Sequence, residues 1–278
     1  MRKTATIILI IFLLLIIIGT SVLFVMLLNG KLKIKGLKFN IGNSYIKEVA
    51  VDESYDNVFD TIEINTTSGD INIYESESDK IVLVIHNKKE RTTVNTDNNI
   101  LNIDVKSKKC NFLCINPKIA RIDLYIPSNY DKDIKINTQY GDVKVKSFEN
   151  ANFDIKSNYG DIRINKLNNA KLDLDYGDIK IDSVNELIVN SNYGDIKVDK
   201  VNNYLNIDCD YGDVKLNNVT LTKNSTIKDD FGDVEIKNIK NVYIDAKTDL
   251  GDKDIKNNDK ASDITLTIKV DCGDIEVN

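Results

Sequence analysis

Tyr159-Gly160-Asp161-Ile162-Arg163-Ile164 is followed, seventeen residues on, by Tyr176-Gly177-Asp178-Ile179-Lys180-Ile181. The pattern continues in both directions. The chain holds 13 glycines, and each one from Gly69 onward precedes an aspartate: Gly69, Gly141, Gly160, Gly177, Gly194, Gly212, Gly232, Gly251 and Gly273. From Gly141 the spacings are 19, 17, 17, 18, 20, 19 and 22 residues. A period near 20 marks stacked structural repeats.

Alignment on the glycine shows where side chains point. The second residue after it is apolar in eight of nine copies, Lys253 being the exception, and the fourth is apolar in all nine, from Ile73 to Val277. Between them stand Asn72, Lys144, Arg163, Lys180, Lys197, Lys215, Glu235, Asp254 and Glu276, none apolar. This alternation is a strand with one buried face. A second strand precedes the glycine, with Ile64, Ile136, Ile155, Leu172, Val189, Ile207, Ile227, Ala246 and Ile268 five residues before it. A third apolar position falls seven after it (Phe148, Leu167, Val184, Val201, Val219, Ile239), out of step with the alternation, so the chain turns a corner there. Two short strands cannot close a core alone. Stacked at about 4.8 Å per coil, they form parallel sheets around a shared apolar interior. The fold class expected is all-β: a single-domain parallel β-solenoid of about 17–22 residues per coil.

The corner residues repeat as Tyr140-Gly141-Asp142, Tyr159-Gly160-Asp161, Tyr176-Gly177-Asp178, Tyr193-Gly194-Asp195, Tyr211-Gly212-Asp213 and Phe231-Gly232-Asp233. One aromatic per coil in one column predicts an aromatic stack, expected to be largely internal. The glycine supplies backbone freedom for the bend. The motif lapses between Gly69 and Gly141, although strand-like runs continue at Ile81–Ile85, Ile100–Val105 and Ile119–Ile126. This interval reads as less regular opening coils (residues 59–133) with an inserted loop, Ser107 to Lys118. The regular repeats occupy 134–278.

The first 30 residues stand apart. Thr4 to Leu28 carries no charged residue. As a helix it would be about 37 Å long, enough to cross a hydrocarbon core of about 30 Å. It exceeds a signal-peptide core, and no small-residue cleavage site follows it. One transmembrane helix within residues 1–30 and a stalk over 31–58 are expected to precede the solenoid at 59–278. Arg2 and Lys3 favour an inside N-terminus, while Lys31, Lys33, Lys35 and Lys38 oppose it, so the positive-inside rule does not settle the orientation.

The solenoid resembles the bacterial "putative adhesin" or toastrack domains. The features that carry the resemblance are Phe59-Asp60-Thr61-Ile62-Glu63-Ile64 with Ser68-Gly69-Asp70-Ile71, then Ile122-Asp123-Leu124-Tyr125-Ile126-Pro127, then the Tyr-Gly-Asp run. The resemblance implies a β-solenoid outside the cytoplasmic membrane and an association with envelope-stress signalling. It implies no catalytic residues.

Residue chemistry narrows the function classes. A net charge of −6 gives no basis for nucleic-acid binding. One glycine per coil brings few carbonyls together, and Ca²⁺ takes six to eight oxygens, so the aspartate column reads as turn residues bonding nearby amides rather than a metal site. The basic column Lys144, Arg163, Lys180, Lys197 and Lys215 offsets its charge. Acidic residues spread evenly, with no coil expected to gather His, Arg and carboxylates, which argues against an enzyme. His86 reads as a surface or packing residue. Cys110 and Cys114 are positioned for a small disulfide, with two free thiols the alternative. Cys209 and Cys272 read as core residues too far apart to bridge. No cofactor is expected. The chain ends at Asn278 directly after a strand, so the C-terminal coil is expected to present a bare edge that self-association or a partner protein's strand covers. The reading is a non-enzymatic, membrane-anchored extracytoplasmic scaffold or interaction module in the cell envelope. An adhesin binding glycans or host surfaces directly is the alternative, and a β-helix carbohydrate-active enzyme the third.

Overall fold

The computed structural model describes residues 44–107 and 118–278. The expected membrane helix, the first part of the stalk, and Cys110 with Cys114 lie outside the described residues. Among the described residues, all regular structure is β except the 3-10 turn Lys89–Arg91. The coils are parallel and in register: Ile162, Leu172 and Tyr176 pair with Ile179, Val189 and Tyr193, which pair in turn with Ile196, Ile207 and Tyr211. One difference from the expected coil is that its two strands are continuous. Val143–Tyr159, Ile162–Tyr176, Ile179–Tyr193 and Ile196–Tyr211 each run unbroken from one Gly-Asp corner to the next. The second corner is a soft bend, seen as register shifts at Phe148/Asn152 and Val184/Glu186. An irregularity of this kind turns a strand without ending its ladder. Within one coil, Ile162, Ile164, Leu167, Ala170, Leu172 and Leu174 are all buried, so the apolar columns form one continuous core.

At the C-terminal end, chain order and spatial order part. Thr265–Cys272 lies between Ser225–Phe231 and Tyr243–Leu250, and Ile275–Val277 lies between Val234–Ile236 and Lys253–Ile255. The last coil in sequence is therefore covered on both sides by this chain. This corrects the expected bare C-terminal coil: the free edge belongs to the Gly251 coil. The inward columns give the reason. Leu266, Ile268, Val270, Ile275 and Val277 are buried, whereas the Gly251 coil puts Ala246, Thr248 and Lys253 opposite Ile268, Val270 and Ile275. A coil with a broken apolar face costs least where it has one neighbour.

That edge is closed by side chains. Asn258 Nδ2 donates to the Ile244 carbonyl (3.1 Å) and Ile244 N donates to Asn258 Oδ1 (3.0 Å), as a neighbouring strand would. Lys253 Nζ donates to the Ala246 carbonyl (2.8 Å), and Asp259 N to that of Val242 (3.1 Å). Charged residues and loops that cover an edge suppress strand addition. Replacing both Asn258 and Lys253 with alanine is expected to raise concentration-dependent self-association of the full chain severalfold in sedimentation velocity. Unchanged association would show that these two residues do not guard the edge.

The N-terminal end is rearranged in a similar way. The Gly69 coil stacks directly on the Gly141 coil, through Ile71, Asn72 and Ile73 paired with Val143, Lys144 and Val145, and Thr61–Thr66 lies beside Asp133–Tyr140. The intervening chain folds outside it, with Lys118–Pro127 on Gly69–Ser76 and Ile100–Val105 on Thr61–Thr66. The expected strands in this interval are present. Beyond them the sheet turns antiparallel: Lys80–His86 on Lys118–Pro127, Val49–Asp56 on Lys80–His86, and Thr92–Asp97 on Ile100–Val105. Asn98 and Asn99, at φ 50° and 60°, form the tight turn of the last hairpin. Two expectations are corrected here. The solenoid is not wholly parallel, and Val49–Asp56, expected in the stalk, is a strand of the cap.

Candidate functional site

The Tyr-Gly-Asp corner is the most repeated feature of the surface. Gly141, Gly160, Gly177, Gly194 and Gly212 hold φ between +136° and +144°, a region that only glycine occupies without strain. Each N–H donates to the aromatic residue's carbonyl in the next coil, at 2.9–3.0 Å for Gly141, Gly160, Gly177 and Gly194. A Cβ on any of these five would lie 2.1–2.3 Å from the carbonyl oxygen of the glycine in the preceding coil. Glycine is thus needed for both conformation and close approach.

The aspartates bond across coils rather than within their own turn. Asp70, Asp142, Asp161, Asp178, Asp195 and Asp213 each use Oδ1 to accept the amide of the next coil's aspartate, at 3.0–3.1 Å. Carboxylates 4.8 Å apart repel by roughly 0.9 kcal/mol in water. A hydrogen bond to a charged group contributes about 1.5–3 kcal/mol, so the ladder is net favourable. The basic column adds to it. Arg163 contacts Asp161 at 2.7 Å and Asp142 at 3.5 Å, and Lys215 contacts Asp213 at 2.7 Å. Lys215 and the Asp233 amide together hold the Asp213 carboxyl below its ordinary value. Among the described residues there is no group of three or more His, Cys, Asp or Glu arranged to hold a metal.

The tyrosines form the expected stack, but it is external. Rings of Tyr140, Tyr159, Tyr176, Tyr193, Tyr211 and Phe231 follow one another at 4.8–5.0 Å between centroids and within 5° of parallel. All six are exposed, at 43–54%. The expectation of an internal column is corrected at the corner: positions three, five and seven before the glycine fill the core, and the alternation then breaks, so that the residue before the glycine turns outward. The rings cover one another's faces, so the surface they offer is a row of ring edges and hydroxyls. Cys272 continues this column beyond Phe231 and is only partly buried, whereas Cys209 is fully buried and both thiols are free. Cys272 is therefore not the core residue expected.

One concentration of polar chemistry went unseen in the sequence. Arg121 donates to Asp123 through Nε (2.8 Å) and to His86 Nε2 through Nη2 (2.9 Å), and it lies over the Tyr45 ring at 5.6 Å. Asn72 donates to Asp123 (2.9 Å), and the Tyr45 hydroxyl donates to Asp70 (2.5 Å). Asp70 and Asp123 are buried. The Asp70 hydrogen bond raises the Tyr45 hydroxyl to about 12. This corrects the expectation that no coil gathers His, Arg and carboxylates, and gives His86 a named partner. Asp123 is engaged by Arg121 and Asn72, and Asp70 by Tyr45 and the Asp142 amide, so the cluster reads as a latch that fastens the start of the described chain to the outermost coils. The clue was Ala120-Arg121-Ile122-Asp123-Leu124, a repeat with alanine in the glycine place.

Fold and corner together define a β-solenoid repeat domain with one exposed aromatic column. The chain belongs to the Toastrack DUF4097 family, whose model matches residues 59–278. Two crystal structures share the fold. A "putative adhesin" from Bacteroides fragilis NCTC 9343 is 19% identical, with a TM-score of 0.53 over 85% of this chain and 100% of that one. A "putative lipid binding protein" from Parabacteroides distasonis ATCC 8503 is 16% identical, with a TM-score of 0.51 over 82% and 97%. Comparison with curated proteins found no match.

Proposed function

We propose that this protein is a non-enzymatic interaction rod of the cell envelope, anchored in the membrane by Thr4–Leu28 with its solenoid on the extracytoplasmic side. The observation that carries the reading is the corner surface. Five successive coils present the same exposed tyrosine and the same aspartate, from Tyr140-Gly141-Asp142 to Tyr211-Gly212-Asp213. A catalytic centre concentrates distinct groups at one place; a surface repeated along an axis suits an extended partner. The Arg121 cluster does not alter this, because its carboxylates are committed to partners within the fold. The uncharged length of residues 4–28 supports the anchor. Among the described residues no helix is long and apolar enough to cross a membrane, and the proposed anchor lies outside them.

Two roles fit such a rod. One is a scaffold for membrane partners in envelope-stress sensing, which the family resemblance suggested. The other is direct adhesion, favoured specifically by the exposure of the tyrosine column. Cross-linking intact cells with a membrane-impermeant amine reagent tests the display. Lys144, Lys156, Lys171, Lys180 and Lys197 are expected to react, with captured membrane proteins identifying a scaffold. Failure to label the rod while an external control protein is labelled would overturn the extracytoplasmic reading.

A further inference from the structure

The tyrosine column has a spacing, a direction and a chemistry, and together they select a ligand class. We infer that it binds a neutral, extended β-1,4-linked glycan lying along the rod axis, one sugar per coil; this rests on the interaction-rod reading and names its ligand.

Spacing comes first. The hydroxyl-bearing rings recur every 4.8–5.0 Å over five coils. An extended peptide places same-side residues about 6.6 Å apart, so it loses register with the coils within two or three repeats. A β-1,4-linked chain advances by close to one coil spacing per sugar and turns the same face every second sugar, which is every second coil. An α-1,4-linked chain coils and keeps no such register.

The chemistry agrees. In the chain the row is flanked by Asn158, Asp175, Asn192 and Asp210 before the tyrosines and by Asp142, Asp161, Asp178, Asp195 and Asp213 after the glycines. Each aspartate commits Oδ1 to the neighbouring coil, which fixes the carboxylate; Oδ2 pairs with Arg163 or Lys215 at Asp142, Asp161 and Asp213 and makes no ion pair among the described residues at Asp178 and Asp195. Each coil thus offers a phenol hydroxyl that donates or accepts and a carboxylate held in place, with Asn192 donating to Asp175 across two of the coils. Sugar hydroxyls answer both. With the Gly-Asp column offset by its basic neighbours and Asp175 and Asp210 beside the row, on a chain of net charge −6, the surface gives polyanions no favourable field, so the glycan is neutral. Ring faces are occupied by stacking along the row. The column ends on ringless neighbours, Ser68 beside Tyr140 and Cys272 beside Phe231, and Tyr140 is the most exposed of the six at 54%. A terminal sugar can lie flat there, and the interior ones bind by their edges.

The probes are insoluble chitin and cellulose, with insoluble starch as a polymer of the same functional groups and the wrong advance. The full chain is held in a detergent without a sugar headgroup. Retention is expected on one or both β-1,4 polymers and not on starch. Soluble chito- or cello-oligosaccharides are expected to compete at least tenfold better with five sugars than with two. Replacing Tyr159, Tyr176 and Tyr193 together by phenylalanine keeps the ring stack, as Phe231 does natively, and removes three hydroxyls; a loss of at least tenfold is expected. A Lys171→Gln variant, whose lysine pairs with Asp154 away from the row, is expected to bind as the parent does. Absence of retention, equal retention on starch, or a triple phenylalanine variant that binds like the parent would each overturn the assignment. External labelling of a rod that fails these binding assays would leave the display standing and remove the glycan alone.

Discussion

Gly177→Ala is expected to lower unfolding free energy by about 4 kcal/mol or more, among the largest effects of one methyl group. Two causes act together. Gly177 holds φ at +144°, where a Cβ is strained whatever the surrounding space. The new carbon would also sit 2.2 Å from the Gly160 carbonyl oxygen. Neither neighbour can yield alone. That stretch of backbone is tied by Gly160 N to the Tyr176 carbonyl, and Gly177 itself donates to Tyr193, both at 3.0 Å. Relieving the clash means spreading the coils, which breaks the glycine and aspartate ladders and separates stacked rings. Gly69→Ala supplies the contrast. Gly69 lies outside the strained region, and its nearest obstacle is the Ala120 Cβ at 2.9 Å, near the cap. A cost of about 1–2 kcal/mol is expected there, typical of overpacking. Urea unfolding of both variants, followed by far-ultraviolet circular dichroism, measures the difference. Equal losses would mean that the strained φ carries no cost of its own.

The interior of the rod was legible because its physics is repetitive. Period-2 alternation around each glycine fixed which residues are buried, and the columns through Ile162, Ile164 and Leu172 lie where the alternation put them. The ends were not legible, because there the rule that sequence neighbours are spatial neighbours fails. Lys253 and the polar run to Ser262 look like a decayed repeat in a linear reading. In space they are the outermost coil, with Lys253 and Asn258 closing its edge. The Arg121 cluster was hidden for a related reason. Its contacts join segments 25 to 76 residues apart, brought together only by a strand order that inserts the Gly69 coil between Lys118–Pro127 and the Gly141 coil. The tyrosine column was found, but its side was misjudged. Aromatic residues in register suggested packing, and the alternation counted from inward Leu172 and Leu174 also put Tyr176 inside; the strand breaks that alternation at its corner, where Tyr176 turns outward.

Asp229 carries the second large prediction. It occupies the inward position three residues before its glycine, in a column with Ser157, Leu174, Ser191, Cys209 and Val270. It is 1% exposed, and neither carboxylate oxygen makes a well-formed hydrogen bond, the nearby Phe231 amide being its one weak donor. Burial pushes its carboxyl up from 3.8 to about 7, with the charges of Asp213, Asp230 and Asp233 acting in the same direction and the Phe231 amide opposing them. The sign follows from proton uptake. Between pH 4 and 7 the folded protein holds a proton at Asp229 that the unfolded chain has lost, so stability falls as pH rises through this window and levels off above it. A separation of about three units corresponds to roughly 4 kcal/mol. Asp229→Val, matching Val270 in the adjacent coil, removes the cost of burying the charge. The variant is expected to be more stable than the parent by about 3–4 kcal/mol at pH 8, with most of that gap closed at pH 4. Urea midpoints of parent and variant at the two pH values test this directly. A pH-independent gap would locate the gain in packing alone, and a variant less stable at pH 8 would mean that Asp229 is charged in the folded rod and satisfied there.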